Sequence, residues 1–251
     1  MWLADLFRLY TLARRRLRSE DDYKRFQAFQ ARLLLQYLRR YRVQLPGKLV
    51  LDLGSGIGGY SEVLAATGAR VYSLDLIAQQ QLSLGCGAIK GNALSIPLKD
   101  GSMDFIFCAS LIEHVPDPGK LITEIRRVLA PGGLCYLSFP PYYSPLGGHE
   151  FSPFHYLGER WALRLNRRKR DIAWGMEYYK LNLTPRSFKE LFEDWGLYKM
   201  TVSKAMRLVR GSGLRLVNLS TRYFPISLVR WPILGEIFTW HAQFLLEKPA
   251  R

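Results

Sequence analysis

Residues 51–59, LDLGSGIGG, constrain this chain more than any other stretch. An apolar run contains an acid near its end, and four glycines then fall within six positions. Glycine enters left-handed backbone without steric cost and lets a ligand approach the main chain. The pattern therefore predicts a strand, a tight turn and a helix start that cradle an adenosine-bearing cofactor. Gly54, Gly56 and Gly59 satisfy the dinucleotide spacing G-x-G-x-x-G. Asp52, Gly54 and Gly56 equally satisfy D-x-G-x-G, which suits a different adenosine cofactor. The glycines alone leave both open.

The surrounding rhythm supplies the fold. Strands are predicted at Leu49–Leu53, Val71–Leu76, Ala88–Ile89, Met103–Ala109 and Leu134–Phe139. The MDFIFCA run is apolar on both faces, as a central parallel strand should be. Helical patterns follow the glycine turn and again span Asp117–Leu129, where Pro131-Gly132-Gly133 ends the second. Strand and helix alternate, so the expectation is an α/β, doubly wound, mostly parallel seven-stranded sheet, Rossmann-like. Beyond residue 140 the rhythm breaks. TPRSFKELFEDWG reads as a helix with Thr184 as N-cap and Pro185 in its first turn. Leu197–Lys204 is expected as strand six and Thr239–Glu247 as strand seven, an antiparallel pair. The domain reading is an N-terminal helical segment over 1–47 and a cofactor domain over 48–251, with insertions at 141–182 and 205–238.

Composition bounds the classes. A 48% hydrophobic and 23% charged chain of 251 residues is ordinary for a globular domain with a sizeable core. Cys86, Cys108 and Cys135 are too few and scattered for a disulfide framework or a zinc site, which fits a reducing cytoplasm. No leader is expected, because the opening MWLADLFRLYTLARRRLR carries its positive charge after its apolar residues. The net charge of +15 is uneven: residues 1–48 carry 12 Lys and Arg against 4 acids, residues 49–140 carry 6 against 8, and the remainder 18 against 9. Basic ends flank a near-neutral middle, so an anionic partner would meet the flanks.

The ordered series LVLDLGSGIGG, VYSLDL, GNALSIPL, SMDFIFCASLIEHVPDP and RRVLAPGGLCYLSFP resembles the class I S-adenosylmethionine (SAM)-dependent methyltransferases, and within them the ubiquinone and menaquinone methyltransferase group (methyltransferase type 11). The resemblance covers about residues 48–140 and implies SAM as cofactor. Nothing in a dinucleotide site asks for IEHVPDP after strand four or APGG before strand five. Gly54 and Gly56, with Ser55 between them, would let backbone approach the methionine part of SAM. Asp75, with Leu76 beside it at the carboxyl end of strand two, would accept the ribose hydroxyls. Asp52 is implied to organise the cofactor amine. Asn92, beside Ala93, stands where the family often has an aspartate for the adenine amino group, and Ser110 and Leu111 would face the methionine moiety.

SFPPYYS resembles the [DNS]-P-P-[YFW] box of amino-methyltransferases, but it follows strand five and Phe139 replaces the polar residue. Nucleic-acid N-methylation is therefore not expected. Tyr142 and Tyr143, with Glu150, are expected as substrate-pocket groups. Methyl transfer from a sulfonium needs an in-line nucleophile and, for a hydroxyl, a base. His114, His149 and His155 are the candidate bases, while His241 is expected to be structural. His149–Glu150–His155 does not match H-E-x-x-H, so no metal is expected.

Topology brings 141–182 and 205–238 over the cofactor crevice as a basic, aromatic lid. It would admit a small-molecule, lipid-linked or glycan acceptor. Trp2, Leu3, Leu6, Phe7, Leu9 and Tyr10 followed by Arg14–Arg16 fit an interfacial helix, which makes an anionic membrane surface a candidate partner and the inner membrane face a candidate location. Arg222, Tyr223, Phe224, Arg230 and Trp231 repeat the mixture. RLNRRKR (164–170) would suit an RNA backbone, but no RNA-binding module accompanies it. The expected activity is methyl transfer from SAM, at oxygen. C-methylation of a quinone-like ring, a non-catalytic SAM-binding module and an NAD-dependent oxidoreductase are the alternatives.

Overall fold

The computed structural model describes residues 3–16, 18–77, 86–166, 186–190, 196–223 and 227–250. Two helices open it, α1 (Leu3–Arg15) and α2 (Glu20–Arg40). Ser19 starts α2 by accepting the Asp22 N–H at 3.1 Å, and three acids in its first turn face the positive end of the helix dipole. There follow β1 (Leu49–Leu53), α3 (Gly59–Ala65), β2 (Arg70–Asp75), β3 (Cys86–Lys90), β4 (Met103–Ala109), α4 (Pro118–Val128) and β5 (Leu129–Phe139). After a stretch of short turns come α5 (Glu159–Asn166), α6 (Val202–Ser212), β6 (Arg215–Thr221), α7 (Leu234–Phe238) and β7 (Ala242–Glu247).

The strands form one seven-stranded sheet in the order β3-β2-β1-β4-β5-β7-β6. β3, β2, β1, β4 and β5 are parallel, whereas β7 runs antiparallel to both β5 and β6. The strand order reverses between β1 and β4, and in open sheets of this kind a ligand crevice opens at the carboxyl ends beside that switch. Two apolar layers sandwich the sheet. Leu121, Ile122, Ile125 and Val128 of α4 join Val202, Ala205 and Val209 of α6 on one face. Leu34, Leu38, Tyr60 and Leu64 of α2 and α3 cover the other, where Phe107 and Tyr136 stack at 5.5 Å. Among the described residues no helix is long and apolar enough to cross a membrane.

The expected strands one and four agree residue for residue, and the expected antiparallel β6–β7 pair is present. Strand six lies elsewhere than expected. Leu197–Lys204 is not extended along its length: Thr201 accepts the Lys204 N–H and starts α6, while β6 begins at Arg215. The β-branched look of TVSK hid a cap followed by Val202, Ala205 and Val209, which share one buried helical face. The insertion drawn at 205–238 is corrected accordingly, since α6 and β6 occupy its first part and the connection from β6 to β7 is 222–241, which carries α7. β5 starts at Leu129 instead of Leu134, because the glycine pair is held against the last strand by Gly132 N–H to Lys248 O and Lys248 N–H to Gly133 O. In the helix expected over TPRSFKELFEDWG, Phe188–Glu190 is a single 3₁₀ turn, and Thr184, Pro185 and residues 191–195 lie outside the described residues.

Candidate active site

The glycine turn is built as its sequence requires. Gly54, Gly56 and Gly58 have φ of 76°, 54° and 83°, a region that costs an L side chain about 1–2 kcal/mol. Gly54 and Ser55 donate their N–H groups to Leu74 O, and Gly56 N–H donates to Asp75 Oδ2 at 2.9 Å. The turn is thereby stitched to the end of β2. A Cβ on Gly54 would fall 2.9 Å from Leu111 Cδ1, so the turn lies bare against the loop that follows β4. From the other side α2 reaches in: Gln27 Oε1 accepts the Gly59 N–H at 3.1 Å and caps α3. Sequence reading missed Gln27, which is one polar residue among many in α2 and is set apart only by its burial in the fold.

These residues fit SAM. A bare backbone beside an apolar Leu111 suits a methionine chain. Asp75 could hold the sugar hydroxyls with the lone pairs left after Gly56 and Ile77 donate to it, one N–H to each oxygen. Burial raises the Asp75 carboxyl above its ordinary range, opposed by those backbone donors. Asp52 is 1% exposed and accepts the Ser61 hydroxyl on Oδ2, with Ser73 donating to Ser61 in turn. Burial pushes it up to about 7, opposed by Ser61. Oδ1 is the oxygen left for a cofactor amine. Asn92 is exposed and already bonded, its Oδ1 accepting the Leu94 N–H at 2.8 Å, so any adenine contact must share that oxygen. Ala93 is buried in the core beneath it, and Leu76 is half-buried.

At the end of β4 the chain turns sharply. Ser110 adopts φ 52°, donates its N–H to Ser138 O, and sets its Oγ 3.2 Å from His241 Nε2. His241 was expected to be structural. The antiparallel course of β7 instead puts it at the carboxyl edge, because this strand starts where the parallel ones finish. Beyond Ser110, the turn Ile112–His114 buries both Glu113 and His114. The His114 ring Nδ1 lies 2.8 Å from Gly196 O, which makes it the protonated nitrogen, since a carbonyl only accepts. Tyr198 N–H donates to Glu113 O, so residues 196–198 lie across the same turn.

Of the three candidate bases the fold brings two together. His149 meets His114 with ring centroids 4.7 Å apart, and its Nε2 lies 3.4 Å from Glu113 Oε1.

 His149 stands 36 residues after Glu113 in the chain, a separation that leaves the pairing without a local sequence signal. His149 has φ 47°, a conformation a non-glycine residue rarely takes. Burial raises the Glu113 carboxyl to about 7, opposed by His114, and burial together with His149 lowers His114 to about 4. Glu113 is the site residue that sequence reading passed over. Its signal was a charged residue set inside an apolar motif. His155 is not part of this group. It is buried between Tyr142 and Tyr156, with ring centroids 5.5 and 4.1 Å away, and burial lowers its pKa.

Tyr142 and Tyr143, the expected substrate-pocket groups, lie 5.4 Å apart and edge to face, with Lys199 Nζ over both rings. Tyr142 is half-buried, and its N–H donates to Met200 O. The backbone of Glu150 belongs to the turn His149–Phe151, and its side chain lies outside the described residues. Arg222, on the far side of His241, donates to Gln30 O and the Tyr60 hydroxyl and lies over the Tyr60 and Tyr223 rings. It ties the N-terminal helix α2 to the start of the 222–241 crossing.

A parallel sheet with an antiparallel last strand, a bare glycine turn after β1 and an acid at the end of β2 define the class I methyltransferase architecture. A methyltransferase-domain family profile matches residues 51–137. An uncharacterized methyltransferase of Mycobacterium ulcerans (strain Agy99) is 35% identical over 201 residues, which cover 76% of this chain and 72% of that protein. One from Mycobacteroides abscessus is 34% identical over 137 residues, covering 51% and 53% respectively, so this match spans about half the length of that curated relative. The SAM-dependent methyltransferase of Mesorhizobium loti shares the fold, with a TM-score of 0.56 at 18% identity over 84% of this chain and 96% of that one. The chain belongs to the SAM-dependent methyltransferase family.

Proposed function

We propose that the chain transfers the methyl group of SAM to an oxygen nucleophile of a small-molecule, lipid-linked or glycan acceptor. The observation that carries this reading is the cluster of buried Glu113 and His114, just after the Ser110–Leu111 segment that backs the glycine turn, with the half-buried His149 against them. A carbon nucleophile activated by its own ring needs less help, whereas a hydroxyl must shed a proton as it attacks. In the step, the sulfonium–methyl bond breaks and an oxygen–methyl bond forms. S-adenosylhomocysteine leaves, and the hydroxyl proton passes to the His149 side of the cluster. Bound SAM supplies the activated methyl group. The chain's own residues orient the donor at the glycine turn and receive the proton.

An anionic membrane surface is the proposed partner. The net charge of +15 supports it, as do the exposed apolar side chains Phe7, Tyr10, Trp231, Ile233 and Phe238. Of the proposed interfacial helix, Trp2 and the side chains of Leu3 and Leu6 lie outside the described residues, as does Phe224 in the second cluster.

Incubating host lipid and glycan extracts with deuterated-methyl SAM and this protein should yield one labelled product by mass spectrometry, with the label on oxygen. A carbon-linked label would replace this reading with C-methylation, and no S-adenosylhomocysteine release from any extract would support a non-catalytic module. Flotation with phosphatidylglycerol-containing vesicles at low salt tests the membrane. Failure to float would remove it.

A further inference from the structure

Glu113 has a chemical problem that the fold leaves unsolved. Its side chain is 2% exposed, and among the described residues neither carboxylate oxygen receives a hydrogen bond of good geometry. Buried carboxylates are stable when paired, hydrogen-bonded or bound to a cation. Among the described residues, two imidazoles lie against it. One of them, His149, keeps a left-handed backbone that aims its Nε2 to 3.4 Å from Glu113 Oε1. The other, His114, has its Nδ1–H committed to Gly196 O, which puts its lone pair on Nε2. A backbone carbonyl fixing the tautomer in this way is the usual support of a metal-ligating histidine.

We propose that Glu113, His114 and His149 form a binding site for one divalent transition-metal ion of the zinc class. One donor atom from each lies within 4.8 Å of the others. The 3.4 Å edge between His149 and Glu113 already equals that of a tetrahedron with bonds of about 2.1 Å. Two imidazoles and a carboxylate suit zinc, cobalt or iron better than calcium, which prefers an all-oxygen shell. Three protein donors leave one position open, the arrangement of catalytic and not structural zinc. The ion would meet the acceptor oxygen there and lower its pKa, so that the hydroxyl proton would leave to bulk solvent before methyl transfer, in place of the proton transfer to a metal-free His149 described above. Metal binding itself does not depend on the acceptor chosen above.

The test uses the full chain, stripped with chelator and titrated with Co²⁺, whose visible absorption reports coordination, and then with Zn²⁺ in competition. One equivalent of Co²⁺ should give a saturable spectrum that Zn²⁺ displaces. Glu113→Gln and His149→Asn should each weaken binding by at least about 100-fold. Asn tolerates the left-handed backbone at 149, so that variant should remain folded even if the buried substitution does not. Cys86→Ser, which removes the partly exposed thiol, should leave the spectrum unchanged. No saturable spectrum, or one that survives His149→Asn, would overturn the site. A SAM thermal shift recorded on the same metal-free protein separates the two readings: SAM binding without metal binding sinks only the metal site, and the reverse sinks only the methyltransferase proposal.

Discussion

Replacing Asp52 by Asn exposes how the cofactor crevice trades stability for chemistry. Burial holds the Asp52 carboxyl at about 7 against an ordinary 3.8, with Ser61 as its one close side-chain donor. The folded protein therefore binds this proton more tightly than the unfolded chain does. Its stabilisation is fully present below about 3.8 and is lost as pH rises through about 7. The three-unit difference is on the order of 4 kcal/mol above that range. Asp52→Asn removes this penalty and keeps an oxygen for the Ser61 hydroxyl, but it buries an amide N–H₂ group that costs about 1–3 kcal/mol if unpartnered. The variant should be the more stable protein at pH 8 and the less stable at pH 4.5, with a crossing between. Urea unfolding at a series of pH values measures it. A variant less stable at every pH, with no change of sign, would show that the carboxylate is compensated in the fold, and the argument would fail. If Asp52 also holds the cofactor ammonium, SAM binding to the wild type near pH 7 should release a fraction of a proton, read by calorimetry in buffers of different ionisation enthalpy.

Gly54→Ala should weaken SAM binding by at least about tenfold, because φ of 76° and a 2.9 Å approach to Leu111 Cδ1 both oppose a Cβ. Adding Leu111→Ala should relieve the collision and not the backbone strain, so recovery should be incomplete in a SAM titration. Asp75→Ala should abolish the SAM thermal shift with the circular dichroism spectrum intact; an unchanged affinity would remove Asp75 from the sugar site. Thr201→Ala should cost about 1 kcal/mol in urea unfolding by uncapping α6, and a neutral result would contradict the cap.

The parts of this molecule written in local pattern were legible in its sequence. Leu49–Leu53 and Met103–Ala109 are largely apolar runs, each interrupted by one aspartate and mostly buried, and a run of that length between turn residues has one good solution. The turn after Leu53 was equally plain, since three of its glycines occupy left-handed backbone. Segment 197–212 was not legible, because Thr201 and Val202 suit a strand as well as a cap and first turn, and only the Thr201 side-chain bond decides. The meeting of Glu113 with His149 depends on how the chain returns after β5, and His241 reaches Ser110 only because β7 runs against its neighbours. Such pairings follow from topology and loop course, for which single residues carry no local signal.

The last strand enters the sheet between two earlier ones, β5 and β6. Until Ala242–Glu247 have been synthesised, β5 presents an unpaired edge from Leu134 to Phe139 and β6 has no neighbour to join. A growing chain therefore carries an open hydrogen-bonding template next to its forming cofactor crevice, and such edges invite pairing with foreign strands. Insertion of Ala242–Glu247 between them covers both edges at once.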